Sequence, residues 1–220
     1  MSGLEWVFDE DTGILIVRGN GPMMDFGRFL RDRSPWRDVR VKHAVIKDGV
    51  TSIGNNAFYG CKDLESIEMP DTVTSIGHGA FQGCASLLEI DIPDSVNIIE
   101  PFAFYRCKLL KTVKLPHGLT IIPNDAFALC KGLEIVHLPK TLVEIGNHAF
   151  YECTSLQSAE VPRSIETIGQ HAFGNCISLN LVVRGVNADV GAGAFDGVKE
   201  VVYNSLPPRE RINRSGSALR

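Results

Sequence analysis

The sequence predicts an α/β repeat fold: a solenoid of stacked coils with a parallel strand ladder, an N-terminal β-hairpin cap and a C-terminal strand cap. First, the dipeptide Ala-Phe recurs at a step of 23 residues from 57–58 to 172–173, and once more after 22 residues at 194–195. Second, columns of leucine, isoleucine and proline run in register with it. Third, all six cysteines keep the step of 23, at Cys61, Cys84, Cys107, Cys130, Cys153 and Cys176.

Each repeat contains three short elements. The segment 64–69, Leu-x-x-Ile-x-Met, alternates toward its end and predicts a short strand with one buried face. Pro70 cannot donate to a ladder and ends this strand. A second extended piece follows at 73–77, and the spacing of Ala, Phe, Cys and Leu in 57–64 fits a helical turn or two. Stacking then places the strands of successive coils in one ladder, about 4.8 Å apart.

The ends of such a solenoid need caps, because the terminal coils would otherwise expose core. Trp6 and Phe8 alternate, residues 11–13 predict a turn, and residues 14–17 return, so we expect a hairpin over residues 4–18. Bulky side chains that follow are expected to close the first coil: Met23, Met24, Phe26, Phe29 and Trp36.

The C-terminus is expected to end in a strand and a tail. Residues 198–203 predict the last strand, which Pro207-Pro208 stops, and disorder is expected from about residue 209. The predicted units are a capping hairpin with its lead-in over 1–43, the solenoid over 44–197, and a cap strand with a basic tail over 198–220.

Composition excludes several classes of protein. The 220 residues are 44% hydrophobic and carry a net charge of -4, which is typical of a soluble chain with a sizeable core. No uninterrupted apolar window of about 18 residues exists, so no membrane span is expected. The first residues, MSGLEWVFDED, lack the features of a secretory signal. Either the protein is cytosolic, or a leader was removed.

Nucleic acid is not an expected partner, because duplex binding usually requires a basic face. Charge is nevertheless uneven between residues 28 and 42. Six basic residues there, Arg28, Arg31, Arg33, Arg37, Arg40 and Lys42, stand against the two acids Asp32 and Asp38. This segment is either a set of solvated capping residues or a contact site for an anionic surface.

No catalytic residue, metal site or cofactor is predicted. Zinc sites use close cysteine pairs, whereas these cysteines are 23 residues apart, so a column of buried free thiols is expected. His148 and His171 share a column with Asp125, which allows a weak metal site but favours exposed turn residues. Because no G-x-S-x-G, H-E-x-x-H, P-loop or G-x-G-x-x-G motif occurs, the protein is not expected to be an enzyme.

Residues that differ between repeats are those that packing leaves free, and they define a candidate binding surface. The strand face is expected to change along the axis from acidic (Glu65, Glu68, Glu89, Asp91) through basic (Lys111, Lys114) to partly apolar (Ile135, Leu181), with His137 and Glu160 in the same columns. Such a gradient could orient a charged partner, or it could serve solubility alone. A ridge of tyrosines, Tyr59, Tyr105 and Tyr151, has either a binding or a structural role.

The repeated unit, AFYGC followed by L, I, P and VTSIG, resembles the BspA-type leucine-rich repeats of bacterial and protozoan surface proteins. The resemblance covers roughly residues 44 to 197, with departures such as Ala159 in the strand column and a last coil that is one residue short. It implies a leucine-rich-repeat solenoid that binds another protein without catalysis, at the cell surface or secreted, with host or extracellular-matrix proteins as ligands. The alternative is an intracellular interaction or regulatory module, which a native start at Met1 would favour.

Overall fold

The computed structural model describes residues 3–28, 32–185 and 187–203, and within these ranges the chain contains short strands and no helix. The strands are β1 (Gly3–Asp9), β2 (Ile14–Pro22), β3 (His43–Ile46), β4 (Val50–Ile53), β5 (Ser66–Glu68), β6 (Ser75–Ile76), β7 (Glu89–Asp91), β8 (Ile98–Ile99), β9 (Thr112–Lys114), β10 (Ile121–Ile122), β11 (Ile135–His137), β12 (Glu144–Ile145), β13 (Ser158–Val161), β14 (Thr167–Ile168), β15 (Asn180–Val183), β16 (Asp189–Val190) and β17 (Glu200–Tyr203). The expectations for Phe29 and for the tail from residue 209 lie outside the described residues.

Two parallel ladders run along the solenoid. The first follows the order β2-β3-β5 and continues as β7-β9-β11-β13-β15-β17. The second follows β2-β4-β6-β8 and continues as β10-β12-β14-β16. Strand β2 belongs to both, because Ile14 to Val17 pair with β3 whereas Gly21 and Pro22 pair with β4. Neighbouring strands pair at the predicted step, as Val113 does with Val136, so the parallel strand ladder is confirmed.

The α/β assignment is wrong for the part of the chain that the structure describes, because the Ala-Phe segment forms consecutive turns. Some of its hydrogen bonds span three residues, such as Tyr59 N–H to Asn56 O at 3.1 Å. Others leave the coil, such as Phe58 N–H to Ala80 O at 2.7 Å. Asn56 and Gly60 have φ angles of 53° and 69°, which a right-handed helix cannot accommodate. The fold is a parallel β-solenoid of about seven turns.

Left-handed backbone recurs at two positions of the repeat, immediately before Ala-Phe and two residues after it. The first column is Asn56, Gly79, Phe102, Asp125, His148, His171 and Gly193; the second is Gly60, Gly83, Arg106, Leu129, Glu152, Asn175 and Gly197. An L side chain in this conformation costs about 1–2 kcal/mol relative to glycine. The coil geometry therefore imposes this backbone on whichever residue occupies the column.

We expect Arg106→Gly to be more stable than Arg106→Ala by about 1 kcal/mol, because only glycine adopts left-handed backbone without strain. Arg106 suits this comparison since it is exposed and has a φ of 63°. Urea denaturation measures the difference. Lys108, an exposed neighbour without a positive φ, is the control, and there alanine should be at least as stable as glycine. A more stable Arg106→Ala variant would contradict the prediction.

The centre of the solenoid is a stack of six buried phenylalanines, one per coil. Consecutive ring centroids lie between 5.1 and 5.4 Å apart and the ring planes are within 10° of parallel; the members are Phe58, Phe81, Phe104, Phe127, Phe150 and Phe173. Trp36 packs on the N-terminal end at 5.7 Å and Phe195 on the C-terminal end at 6.3 Å. Each ring is thus covered on both faces by the coils on either side.

The first and last strands that the structure describes extend the first ladder. Strands β1 and β2 pair antiparallel from Gly3 and Asn20 to Asp9 and Ile14, which is the hairpin expected over residues 4–18. Trp36 is buried and its Nε1–H donates to Ala57 O at 2.8 Å. At the other end β17 pairs with β15. That these strands act as caps stays a prediction.

Leu181 was assigned to the exposed face, and this assignment is wrong. Its side chain is 0% exposed and it lies opposite Ala159, while Asn180 takes the outward position beside Ser158. The reason is that the last coil is one residue short, so the step into β15 is 22 residues. The larger leucine thus lies beside an alanine of its buried column, Ala159.

Candidate functional site

The outer face of the first ladder carries the predicted strand residues in two outward columns. One column contains Ser66, Glu89, Thr112, Ile135, Ser158 and Asn180, and the other contains Glu68, Asp91, Lys114, His137, Glu160 and Val182. Between them runs a buried column that includes Ile90, Val113 and Val136. Glu65 and Lys111 precede their strands by one residue. We call this surface the ladder face.

Ion pairs between neighbouring coils neutralise the basic part of the ladder face. Lys114 Nζ lies 3.1 Å from Asp91 Oδ1, and this hydrogen bond raises the pKa of Lys114 above its ordinary value. Lys111 Nζ lies 3.8 Å from Glu134 Oε1. The expected change from acidic to basic along the axis is therefore weaker than the side chains alone indicate.

The N-terminal part of the ladder face keeps its negative charge. Among the described residues no cationic group lies within ion-pair distance of Glu65, Glu68 or Glu89. Glu160, in contrast, pairs with Arg184, whose hydrogen bond lowers the pKa of the carboxyl group. The sequence did not indicate Arg184, because it lies in the irregular last coil.

A groove of about 540 Å³ lies beside this acidic part. Its charged lining residues are Glu68, Asp71, Asp91, Asp94 and Lys114. Asp94 Oδ1 is 2.9 Å from His117 Nδ1 on the next coil, and it also accepts the His117 backbone N–H. These contacts lower the pKa of Asp94, the backbone hydrogen bond most. The groove therefore presents mainly carboxylates to a ligand.

The three tyrosines lie in the turn segment and do not join the ladder face. Tyr59, Tyr105 and Tyr151 are half-buried, so only part of each ring is available. The guanidinium carbon of Arg106 lies 5.1 Å from the Tyr105 ring centroid, and Asn175 Nδ2 donates to Tyr151 Oη at 3.1 Å. The predicted binding residues thus form two separate surfaces.

The histidine column is ordered by ring stacking. The centroids of His148 and His171 are 5.5 Å apart with planes at 19°. Burial raises the pKa of Asp125 in the same column, and His148 opposes this change. Both histidines line a groove of about 400 Å³ that Asp125 does not line. Within residues 3–28, 32–185 and 187–203, no three His, Cys, Asp or Glu side chains are arranged to hold a metal ion.

All six cysteines are buried free thiols, as expected. Five of them also make a contact that the sequence did not indicate. Cys107 Sγ donates to Phe81 O at 3.2 Å, and the thiols of Cys84, Cys130, Cys153 and Cys176 make the same bond at 3.1 to 3.2 Å. Each of these thiols therefore links its coil to an earlier one, beyond filling space as a small apolar group.

Stability is expected to fall steeply above about pH 9. Burial raises the pKa of Cys61 to about 12 and holds the pKa values of Cys84, Cys107 and Cys153 well above 9.0. Above pH 9 the unfolded chain loses these protons while the folded chain keeps them. Because the unfolded state then binds fewer protons, the free energy of unfolding decreases with pH, by about 1.4 kcal/mol per pH unit for each thiol.

Denaturation curves between pH 9.5 and 10.5 test this expectation. Tyrosine and lysine also titrate in this range, so the informative quantity is the difference between wild type and Cys107→Ala. The slope of the variant should be shallower by about 1.4 kcal/mol per pH unit. Equal slopes would show that Cys107 ionises as readily in the folded protein as in the unfolded chain.

The geometry defines a class: a β-solenoid repeat protein with stacked, nearly identical coils and a variable outer face. Comparison with known families agrees with this class. The profile of the BspA type leucine rich repeat region matches residues 36–131 and 120–209, with 6 copies. The chain belongs to this family, and the resemblance stated from the repeat motif is confirmed.

Several solved structures share the fold. A leucine rich repeat protein of T. pallidum is 27% identical, with a TM-score of 0.70 over 90% of this chain and 88% of that one. A leucine-rich repeat protein from Bacteroides ovatus is 23% identical, with a TM-score of 0.64 and coverage of 93% and 70%. A leucine rich cell surface protein from Faecalibacterium prausnitzii is 22% identical, with a TM-score of 0.52 and coverage of 94% and 78%.

Two further findings are negative. No curated protein matches the chain. In the described ranges there is no helix of the length and apolarity needed to cross a membrane.

Proposed function

We propose that the protein is a non-catalytic scaffold that binds another protein through the ladder face. One observation carries the proposal: the outward columns of this face change identity from coil to coil, whereas the inward columns repeat. Packing accounts for the repeated residues, so selection for packing does not explain the variable ones. Leucine-rich repeat solenoids typically serve as scaffolds, which agrees with the absence of catalytic motifs in the sequence.

The mechanism that we propose is recognition by a rigid, extended surface. Backbone hydrogen bonds between coils hold the outward side chains in fixed rows, so a partner meets them with little loss of conformational entropy. The acidic end at Glu65, Glu68 and Glu89 favours a partner with a basic surface and would speed its approach. Ile135, which is 42% exposed, adds apolar contact area farther along.

For the location, we favour adhesion at the cell surface or after secretion, with host or matrix proteins as partners. The protein from Faecalibacterium prausnitzii is described as a cell surface protein, which is consistent with this choice. The rival is an intracellular interaction module. The mature N-terminus of the native protein separates the two: a processed start in an envelope or secreted fraction supports adhesion, and an intact Met1 in the cytosol supports the rival.

Charge reversal tests the binding surface. A panel of purified extracellular-matrix proteins is first screened by biolayer interferometry, and the association rate of any binder is then measured. We expect Glu68→Lys with Glu89→Lys to slow association about tenfold at low salt, because electrostatic steering is lost. The matched control is Glu144→Lys with Glu166→Lys, which makes the same charge change in and beside the second ladder. Equal effects of the two double variants would refute the ladder face as the binding surface.

A further inference from the structure

Two arginines of the basic segment 28–42 meet at one tyrosine on the turn side of the first coils. The guanidinium carbon of Arg37 lies 4.5 Å from the Tyr59 ring centroid, and that of Arg28 lies 5.5 Å from it. Arg37 also lies against Gly60, where an added Cβ would be only 2.9 Å from its Nη2. The arginines come from the segment before the first full coil, whereas the tyrosine belongs to the coil. We call this group the arginine cluster.

Neither guanidinium of the arginine cluster has a carboxylate partner among the described residues. Arg33, only a few residues away, pairs with Asp38, so acids are present nearby but are used elsewhere. Arg28 instead contacts neutral groups: its Nε donates to Asn56 Oδ1 at 3.4 Å and its Nη2 lies 3.0 Å from His78 Nε2. Two like charges beside one ring repel each other, and an anion between them would relieve this repulsion.

The histidine in the cluster is neutral. A guanidinium can only donate, so Nε2 of His78 accepts the hydrogen bond from Arg28. Burial lowers the pKa of His78 and the positive charge of Arg28 lowers it further, while the negative charge of Glu100 opposes this change. His78 therefore adds no positive charge to the cluster and leaves the two guanidinium groups as its cations.

Unused hydrogen-bonding groups surround the arginines. Arg37 Nη1 and Gln82 Oε1 are buried and have no partner among the described residues. Gly79 packs closely against this group: a Cβ there would lie 2.9 Å from Asn56 Oδ1, 3.2 Å from Gln82 Oε1 and 3.7 Å from Arg28 Nη2, so the position has no room for a side chain. Positively charged donors and neutral acceptors thus lie close together around Gly79.

We propose that the arginine cluster binds an acidic glycan, with Arg28 and Arg37 holding its sulfate or carboxylate group. Guanidinium groups match the oxygens of such anions, and Asn56 Oδ1 can accept from a sugar hydroxyl. An anionic membrane offers no comparable hydroxyl pattern and is usually bound by larger basic clusters. The glycan therefore contacts both the charged arginines and the neutral hydrogen-bond acceptor beside them. This inference does not depend on the ladder face, which lies on other residues.

The experiment is a titration of the full chain with heparin octasaccharide and, separately, with unsulfated hyaluronan octasaccharide. Chemical shifts of the Gly60 and Gly79 amides report binding at the cluster in the wild-type protein. Isothermal titration calorimetry gives the affinity of the variants. Arg28→Gln with Arg37→Gln removes both charges, and Arg106→Gln is the matched control, since it removes a single guanidinium stacked on the equivalent Tyr105.

We expect shifts at Gly60 and Gly79, affinity that decreases with added salt, and a loss of about tenfold or more in the double variant. Arg106→Gln should bind within about twofold of the wild type. Preference for heparin assigns the anion as sulfate, and equal binding of both sugars assigns it as carboxylate. The proposal is overturned if neither sugar changes the amide chemical shifts of Gly60 and Gly79. It is also overturned if the protein binds vesicles containing phosphatidylserine but binds neither sugar. The shift measurement needs no variant, so it holds even if the double variant fails to fold.

Discussion

Replacing Phe104 with alanine is expected to lower the free energy of unfolding by about 3–5 kcal/mol. Phe104 is fully buried and stacks between Phe81 and Phe127, with centroids 5.3 and 5.1 Å away. Truncation would remove both stacking contacts and leave a cavity that the neighbouring coils cannot fill, because inter-coil hydrogen bonds fix their spacing. Urea denaturation followed by circular dichroism measures the change.

Two variants in the same coil serve as controls for the loss of stability in Phe104→Ala. Leu109→Ala removes a side chain that is 53% exposed and should change stability by no more than about 0.5 kcal/mol. Cys107→Ala loses the bond to Phe81 O and should cost about 1 kcal/mol. If Phe104→Ala and Leu109→Ala had the same small effect, the register of the phenylalanine stack described here would be wrong.

Trp36→Ala is expected to cost a similar amount, about 3–5 kcal/mol, but for a different reason. Trp36 covers the first ring of the stack and contacts Phe26 and Trp6 at centroid distances of 5.5 and 6.1 Å. Its removal should expose Phe58 to water and leave Ala57 O without the indole donor. Because this loss lies at one end, amide exchange in the first coil should accelerate more than in the last coils.

Hydrogen exchange followed by mass spectrometry distinguishes a cap from an ordinary core residue. Trp36→Phe is the control: it keeps an aromatic ring on Phe58 but loses the Nε1–H, so we expect only about 1–2 kcal/mol of destabilisation. A uniform acceleration along the whole chain after Trp36→Ala would show that this end does not unfold first. In that case Trp36 would not be a cap of the solenoid.

The periodic columns predicted most of the architecture correctly. A column such as Ile76, Ile99 and Ile122 has one explanation, stacking at equivalent positions, and the structure buries all three. The helical expectation failed because consecutive turns and a helix both repeat at three to four residues. The left-handed residues that decide between them, Asn56 among them, are not distinctive in sequence, since Phe102 occupies the same column.

The candidate site was less predictable than the fold. The outward columns followed from alternation, but the pairing of Lys114 with Asp91 depends on side-chain conformation across two coils. Leu181 was misplaced because the last coil lacks one residue, and the sequence does not show where between two repeat columns that residue is missing. The convergence of Arg28 and Arg37 on Tyr59 could not be inferred, because the lead-in segment has no repeat to fix its register.

The equivalence of neighbouring coils bears on how a gene for such a chain changes length. Loss of residues 94–116 would bring Phe81 against Phe127, and the thiol of Cys130 would reach Phe81 O in place of Phe104 O. The joined surfaces match because both belong to the same column. Unequal recombination between repeats can therefore shorten or extend the recognition surface by whole coils, about 4.8 Å at a time, without redesign of the interior.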